Sequence, residues 1–94
     1  MNFIYETNRI FAKDETGKMI AEVVFPECGK DMVEITHTFV DDSLQGQGVA
    51  SKLMEAATAR LRNEHKNVYV TCPYAAKWFE RHPEESDLLK SKPL

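Results

Sequence analysis

The 94 residues suffice for one domain built on a single two-layer core, so one domain spanning residues 1–94 is expected. With 43% hydrophobic and 29% charged residues, the composition is that of an ordinary soluble globular protein, and no apolar run approaches the length of a membrane span. A formal charge of −3 argues against nucleic acid as the main partner, while short Lys and Arg clusters would still serve one small anionic ligand. Met1-Asn-Phe-Ile-Tyr-Glu6 lacks the basic start and apolar stretch of a secretory signal, so a cytoplasmic location is expected. The two cysteines, Cys28 and Cys72, are too few for a disulfide framework, and neither has His or Cys at finger-like spacing, so no metal site is expected.

In chain order, Asn8 to Lys13 and Lys18 to Phe25 are β-rich, and the polar Asp14-Glu-Thr-Gly17 between them predicts a hairpin. After a turn over Pro26 to Asp31, Met32 to Val40 alternates. The alternation predicts one strand with Val33, Ile35, His37 and Phe39 on one face and Glu34, Thr36, Thr38 and Val40 on the other. These segments predict a three-stranded antiparallel meander. Ala50, Leu53, Met54, Ala57 and Leu61 then fall at helical spacing, predicting a helix from Gly48 to about Lys66. Asn67 to Thr71 is a short β segment after that helix, so a right-handed crossover with parallel pairing is expected. Pro73 opens a short second helix through Trp78 and Phe79 to His82, where Pro83 stops it. Beyond one turn around Ser86 to Leu89, the polar tail of residues 84–94 carries no predicted structure. The fold class is α+β with a mixed sheet.

Val40-Asp-Asp-Ser-Leu-Gln-Gly-Gln-Gly-Val-Ala50 joins a strand end to a helix start through a Gln/Gly-rich turn. A helix N-terminus offers unpaired N–H groups and the positive end of its dipole, and glycines let a bulky phosphate approach those amides. The expected ligand carries phosphates.

Gln45-Gly46-Gln47-Gly48-Val49-Ala50, set between strand and helix, resembles the Q/R-x-x-G-x-G/A signature of the GNAT N-acetyltransferase superfamily, with Gln45, Gly48 and Ala50 at the matching positions. His37-Thr-x-Val40, Cys72-Pro-Tyr74 and Trp78-Phe-Glu-Arg-His-Pro83 look like the very small stand-alone GNAT-like proteins of bacteria, which also have animal relatives; the resemblance covers roughly residues 8–82. It implies a GNAT-like core that binds acetyl-CoA. The amides of Gln45, Gly46, Gln47, Gly48, Val49 and Ala50 would hold the pyrophosphate, and exposed backbone at Phe39 and Val40 would pair with the pantetheine arm. Full-length members carry an extra N-terminal strand, two helices shaping the acceptor pocket and further C-terminal strands, for which this chain has no room, so an open acceptor side is expected. Where many members place a general-acid tyrosine, the matching stretch reads Phe79-Glu80-Arg81, and Phe79 has no proton to donate.

Amine acetylation needs a neutral amine, a polarised thioester carbonyl and a proton source for the departing thiolate. Glu34 stands six residues before Val40, where some GNAT enzymes carry a carboxylate base; a solvated strand carboxylate is the plainer role. His37 titrates in a suitable range, yet the alternation groups it with core positions. Cys72 ends a strand just before a helix start, which suits a nucleophile or an acid replacing the missing tyrosine, and equally a packed thiol. Tyr74 offers a second hydroxyl two residues on. Ser51 and Lys52, in the first turn of the first helix, are within reach of phosphate oxygens or of solvent. The function expected is acetyl transfer from acetyl-CoA to an unidentified amine, by a monomer or weak homodimer. The alternatives are a non-catalytic acetyl-CoA-binding module acting through a partner protein, and an anion-binding adaptor.

Overall fold

The computed structural model describes residues 1–90. Its strands are β1 (Ile4–Glu6), β2 (Arg9–Lys13), β3 (Met19–Val24), β4 (Glu27–Gly29), β5 (Met32–Ile35), β6 (His37–Val40) and β7 (Asn67–Val70), and its helices are α1 (Val49–Asn63) and α2 (Pro73–Arg81). Short 3₁₀ segments cover Asp42–Leu44 and Pro83–Leu88. No described helix is long and apolar enough to cross a membrane.

The strands form two sheets, one of four strands in the order β1-β2-β3-β6 and one of three in the order β4-β5-β7. The expected meander is present as the antiparallel run β2-β3-β6, and the expected parallel pairing joins β5 to β7. Two short edge strands were not anticipated: β1, which pairs antiparallel with β2, and β4, which pairs with β5. Their three residues each are too few for periodicity to register. The room denied to an N-terminal strand therefore exists.

The larger correction concerns Met32 to Val40, which is two strands. Thr36 N–H donates to the Val24 carbonyl at 3.2 Å, although Val24 already stands opposite His37 in the register. Two residues thus oppose one, which is a β-bulge. The inserted residue reverses the alternation: Val33 and Ile35 are buried, whereas His37 is 57% exposed and Val40, not His37, packs against the core. It also sends β5 and β6 into different sheets.

α1 lays Leu53, Met54, Ala57 and Leu61 over Ile10, Val23, Val33, Ile35 and Val68, all 0–1% exposed, so one helix spans and joins both sheets. Its end at Asn63 falls three residues short of the expected Lys66, since His65 takes a left-handed φ of 58° that turns the chain into β7. Past α2, the 3₁₀ segment puts Leu88 into the core at 5% exposure, and Lys90 N–H donates to the Val68 carbonyl at 2.8 Å. The stretch read as a mostly unstructured tail is therefore folded through residue 90, and residues 91–94 lie outside the described residues.

Leu88→Ala is expected to lower the unfolding free energy in urea by about 2 kcal/mol, while Glu84→Ala on the exposed side of the same segment changes it by less than about 0.5 kcal/mol. Equal stability of the two variants would mean that the segment is not part of the cooperative unit.

Candidate functional site

The bulge leaves a gap between β6 and β7. Asp41 N–H donates to the Ile20 carbonyl at 2.8 Å, and in an antiparallel pair the hydrogen-bonding direction alternates. Phe39, two residues earlier, therefore turns its backbone groups toward Glu22 on β3, while Thr38 and Val40 turn theirs away from β3. Phe39 is thus not one of the free edge positions the resemblance implied. Thr38 takes its place, a residue that sequence alone did not single out because the bulge that turns it is a long-range pairing. Val40 remains, with its carbonyl accepting from Gln45 Nε2 at 3.1 Å.

The turn that follows is closed by Leu44 N–H to the Asp41 carbonyl at 2.9 Å, Gln45 N–H to Asp42 at 3.2 Å and Gln47 N–H to Leu44 at 3.3 Å. The first helical bond of α1 runs from Lys52 N–H to the Gly48 carbonyl at 3.1 Å. Gln45 and Gln47 amides are thereby spent inside the turn, and the Gln47 side chain folds back on the Ser43 carbonyl. Among the described residues, the amides of Gly46, Gly48, Val49, Ala50 and Ser51 have no partner. Gly46 and Gly48 adopt φ of 81° and 72°, a region open to glycine at little cost, and a Cβ at either would meet nothing within 4 Å. The result is a cluster of amides facing open space. A cavity of about 100 Å³ runs from Val40 and the glycines to Ala50, Ser51 and Tyr74.

The chain is acidic here, with Asp41 and Asp42 at the start of the turn. Asp41 accepts from Ser43 Oγ at 2.6 Å and Ser43 N–H at 3.1 Å and pairs with Lys18 at 3.3 Å. The Ser43 bonds, followed by Lys18, hold its carboxyl below the usual range. Its charge is thus answered locally.

Cys72 is the residue before α2, 6% exposed, with Sγ 3.4 Å from Thr38 Oγ1 across the gap. Thr71 and Cys72 amides both donate to the Ile35 carbonyl at 3.1 Å, so the last residue before the bulge fixes the thiol's position. Burial pushes the Cys72 thiol pKa up, but the Thr38 hydroxyl and the first-turn amides of Ala75 and Tyr74 outweigh it, and the net shift is downward. Tyr74, 38% exposed, has its phenol pushed up by partial burial and keeps its proton at neutral pH. Cys28, exposed in the edge strand β4, goes the opposite way from Cys72, raised by desolvation and then by the Glu34 carboxylate.

Glu34 accepts from Thr71 Oγ1 at 2.8 Å on the sheet face opposite Val33 and Ile35. His37, expected among core residues, lies instead on the open face with Nε2 3.8 Å from Glu22, whose other oxygen is bound to Arg9 at 2.5 Å. Phe79 is 4% exposed and edge-on to Trp78, and so belongs to the core. Trp78 Nε1 donates to Ser51 Oγ at 3.0 Å, a link between the two helices that helical spacing alone does not reveal. A larger cavity of about 640 Å³ lies along α1 and α2, lined by Glu55, Glu84, Glu85, His65, His82 and Arg62, whose guanidinium is already paired with Glu85 and Asp87.

A family model described as GCN5-related N-acetyl-transferase matches residues 9–88. Protein NATD1 of Bos taurus is 32% identical over 73 residues, covering 78% of this chain and 65% of that protein. NATD1 of Xenopus tropicalis is 30% identical over 73 residues, covering 67% of its length, so this chain spans about two thirds of these relatives. A solution structure of a GCN5-like protein from Staphylococcus aureus superposes with a TM-score of 0.80 at 24% identity, covering 98% of this chain and 90% of that one. A Mycobacterium tuberculosis protein crystallised with CoA superposes at 0.64 and 22% identity, over 81% of this chain and 47% of its own. With the split sheet and the glycine turn between strand and helix, these matches identify the chain as a member of the GCN5-related N-acetyltransferase family.

Proposed function

We propose that this protein binds acetyl-CoA and transfers the acetyl group to an amine, with Cys72 at the reacting end. The observation that carries the reading is the meeting, at one end of the split sheet, of five unpartnered amides, the edge of β6 that turns away from β3 and a thiol whose pKa is lowered. The residues present fit the cofactor. Gly46 and Gly48 to Ser51 would hold its pyrophosphate, as a helix N-terminus suits an anion, and Thr38 and Val40 would pair with its amide-bearing arm. When bound, acetyl-CoA supplies an acetyl group already activated as a thioester. Tyr74 holds a proton at its hydroxyl beside the same cavity, and the Cys72 sulfur holds or releases one with Thr38 as its partner. Glu34 and His37, on the open face, are the groups available to take a proton from an ammonium acceptor. The two free cysteines accord with the reducing cytoplasm, where we place the activity.

The test is acceptor-dependent release of CoA from acetyl-CoA across a panel of amines, together with an amide NMR titration. Shifts are expected at Gly46, Gly48 to Ser51, Thr38, Val40 and Cys72. Binding without release on any amine would leave a non-catalytic acetyl-CoA module, and no shift at these positions would overturn the cofactor reading.

Gly48→Asp is expected to weaken acetyl-CoA binding by about 100-fold in calorimetry, because left-handed φ costs a non-glycine residue about 1–2 kcal/mol and the new carboxylate repels phosphate. Unchanged affinity would exclude the turn as the phosphate site.

In pulse alkylation read by mass spectrometry, the rate at Cys72 should reach half its maximum at a lower pH than the rate at Cys28. Thr38→Val, which removes the hydroxyl from the sulfur, should move the Cys72 midpoint upward. Coincident midpoints would remove the basis for a chemically distinct Cys72.

A further inference from the structure

Trp78 is buried at 4% exposure, and its indole is held on three sides. The His82 imidazole stacks on it at 4.0 Å with the planes 16° apart, Phe79 meets it edge-on at 5.3 Å, and Nε1 donates to Ser51 Oγ at 3.0 Å. His82 is itself anchored, with Nδ1 2.7 Å from the Trp78 carbonyl. An indole N–H can only donate, so Ser51 Oγ must accept. A hydroxyl has one proton, and with its oxygen engaged by Trp78 that proton is left for another acceptor. Among the described residues none takes it, and the Ser51 amide is unpartnered as well. Ser51 lines the cavity of about 100 Å³ together with the glycines and Tyr74.

We infer that Trp78 is a positioning residue: by occupying the Ser51 oxygen from behind, its indole makes the Ser51 hydroxyl a dedicated donor to the anion held at Gly46 and Gly48 to Ser51. The inference rests on the proposed acetyl-CoA reading of that turn. A hydroxyl free to rotate would divide its proton between the anion and nearby carbonyls, as serines in a first helical turn commonly do. With Trp78 donating to the oxygen, the Ser51 proton is directed away from the indole, and a bond from it to phosphate would be charge-assisted. The same contact ties α1, which carries the amide cluster, to α2, which follows Cys72 and carries Tyr74 in its first turn.

The test is calorimetric titration of wild type, Ser51→Ala, Trp78→Phe and the double variant with acetyl-CoA and with S-acetylpantetheine, which lacks the pyrophosphate. Loss of one charge-assisted hydrogen bond predicts an acetyl-CoA affinity about 10-fold lower for Ser51→Ala, and a weaker loss of about 3-fold to 10-fold for Trp78→Phe. The double variant should be no worse than Ser51→Ala alone, and neither substitution should alter S-acetylpantetheine binding. Phe25→Leu, a core substitution at the far end of α1, should lower the melting temperature without changing acetyl-CoA affinity, which separates positioning from general stability. Wild-type affinity in Trp78→Phe, additive losses in the double variant, or equal loss for S-acetylpantetheine would each overturn the inference while leaving the turn as cofactor site. Failure of the wild-type chain to bind acetyl-CoA at all would instead overturn the reading on which the inference rests.

Discussion

A shared carbonyl at Val24 governs the molecule. Because both Thr36 and His37 stand against it, the stretch from Met32 to Val40 cannot continue as one strand, and its halves join different sheets. Everything at the candidate site follows from that separation. The edge of β6 turned away from β3 has no strand beside it, Ile35 presents its carbonyl to the chain leaving β7, and Cys72 comes to rest against Thr38 across the gap. A continuous strand would fill its own edge and bury His37 in place of Val40.

The split would weaken the fold were it not bridged. α1 does the bridging, burying Leu53, Met54, Ala57 and Leu61 against residues of both sheets. Its first turn is consequently held over the open end of the gap, and α2 begins beside it. Two helix N-termini therefore converge, one ending in unpartnered amides and the other behind a thiol, and both favour negative charge. This explains how a chain of formal charge −3 gathers positive potential at one point without a cluster of basic side chains. The positive potential comes from backbone N–H groups, and the Asp41 carboxylate at the start of the turn is matched by Lys18 and Ser43.

What periodicity could resolve was legible. The hairpin around Asp14 to Gly17, the buried stripe of α1, Pro73 opening α2 and the glycine turn between strand and helix are all written in local spacing, and each is present. The resemblance of Gln45 to Ala50 to a known signature led to the family that the comparisons bear out. The misjudged points share a cause. Unbroken alternation through Thr36 groups His37 with the core, and the resemblance alone puts Phe39 on the free edge; both readings miss a bulge made against a residue twelve positions away in sequence. Likewise Leu88 reads as part of a polar tail, and it is buried because the chain just after it, at Leu89 and Lys90, lies along Val68 of β7.

The sequence by itself determined the α+β class and the placing of the glycine turn between strand and helix, because these rest on hydrophobic period and on φ values that few residues other than glycine adopt readily. Only the tertiary structure decided which amides in that turn stay free, that Thr38 and not Phe39 shares the open edge with Val40, and that Trp78 reaches Ser51. Each of those is a hydrogen-bond assignment between segments distant along the chain, or the remainder after such assignments are made. A donor's availability cannot be known until every competing acceptor has been brought to its place.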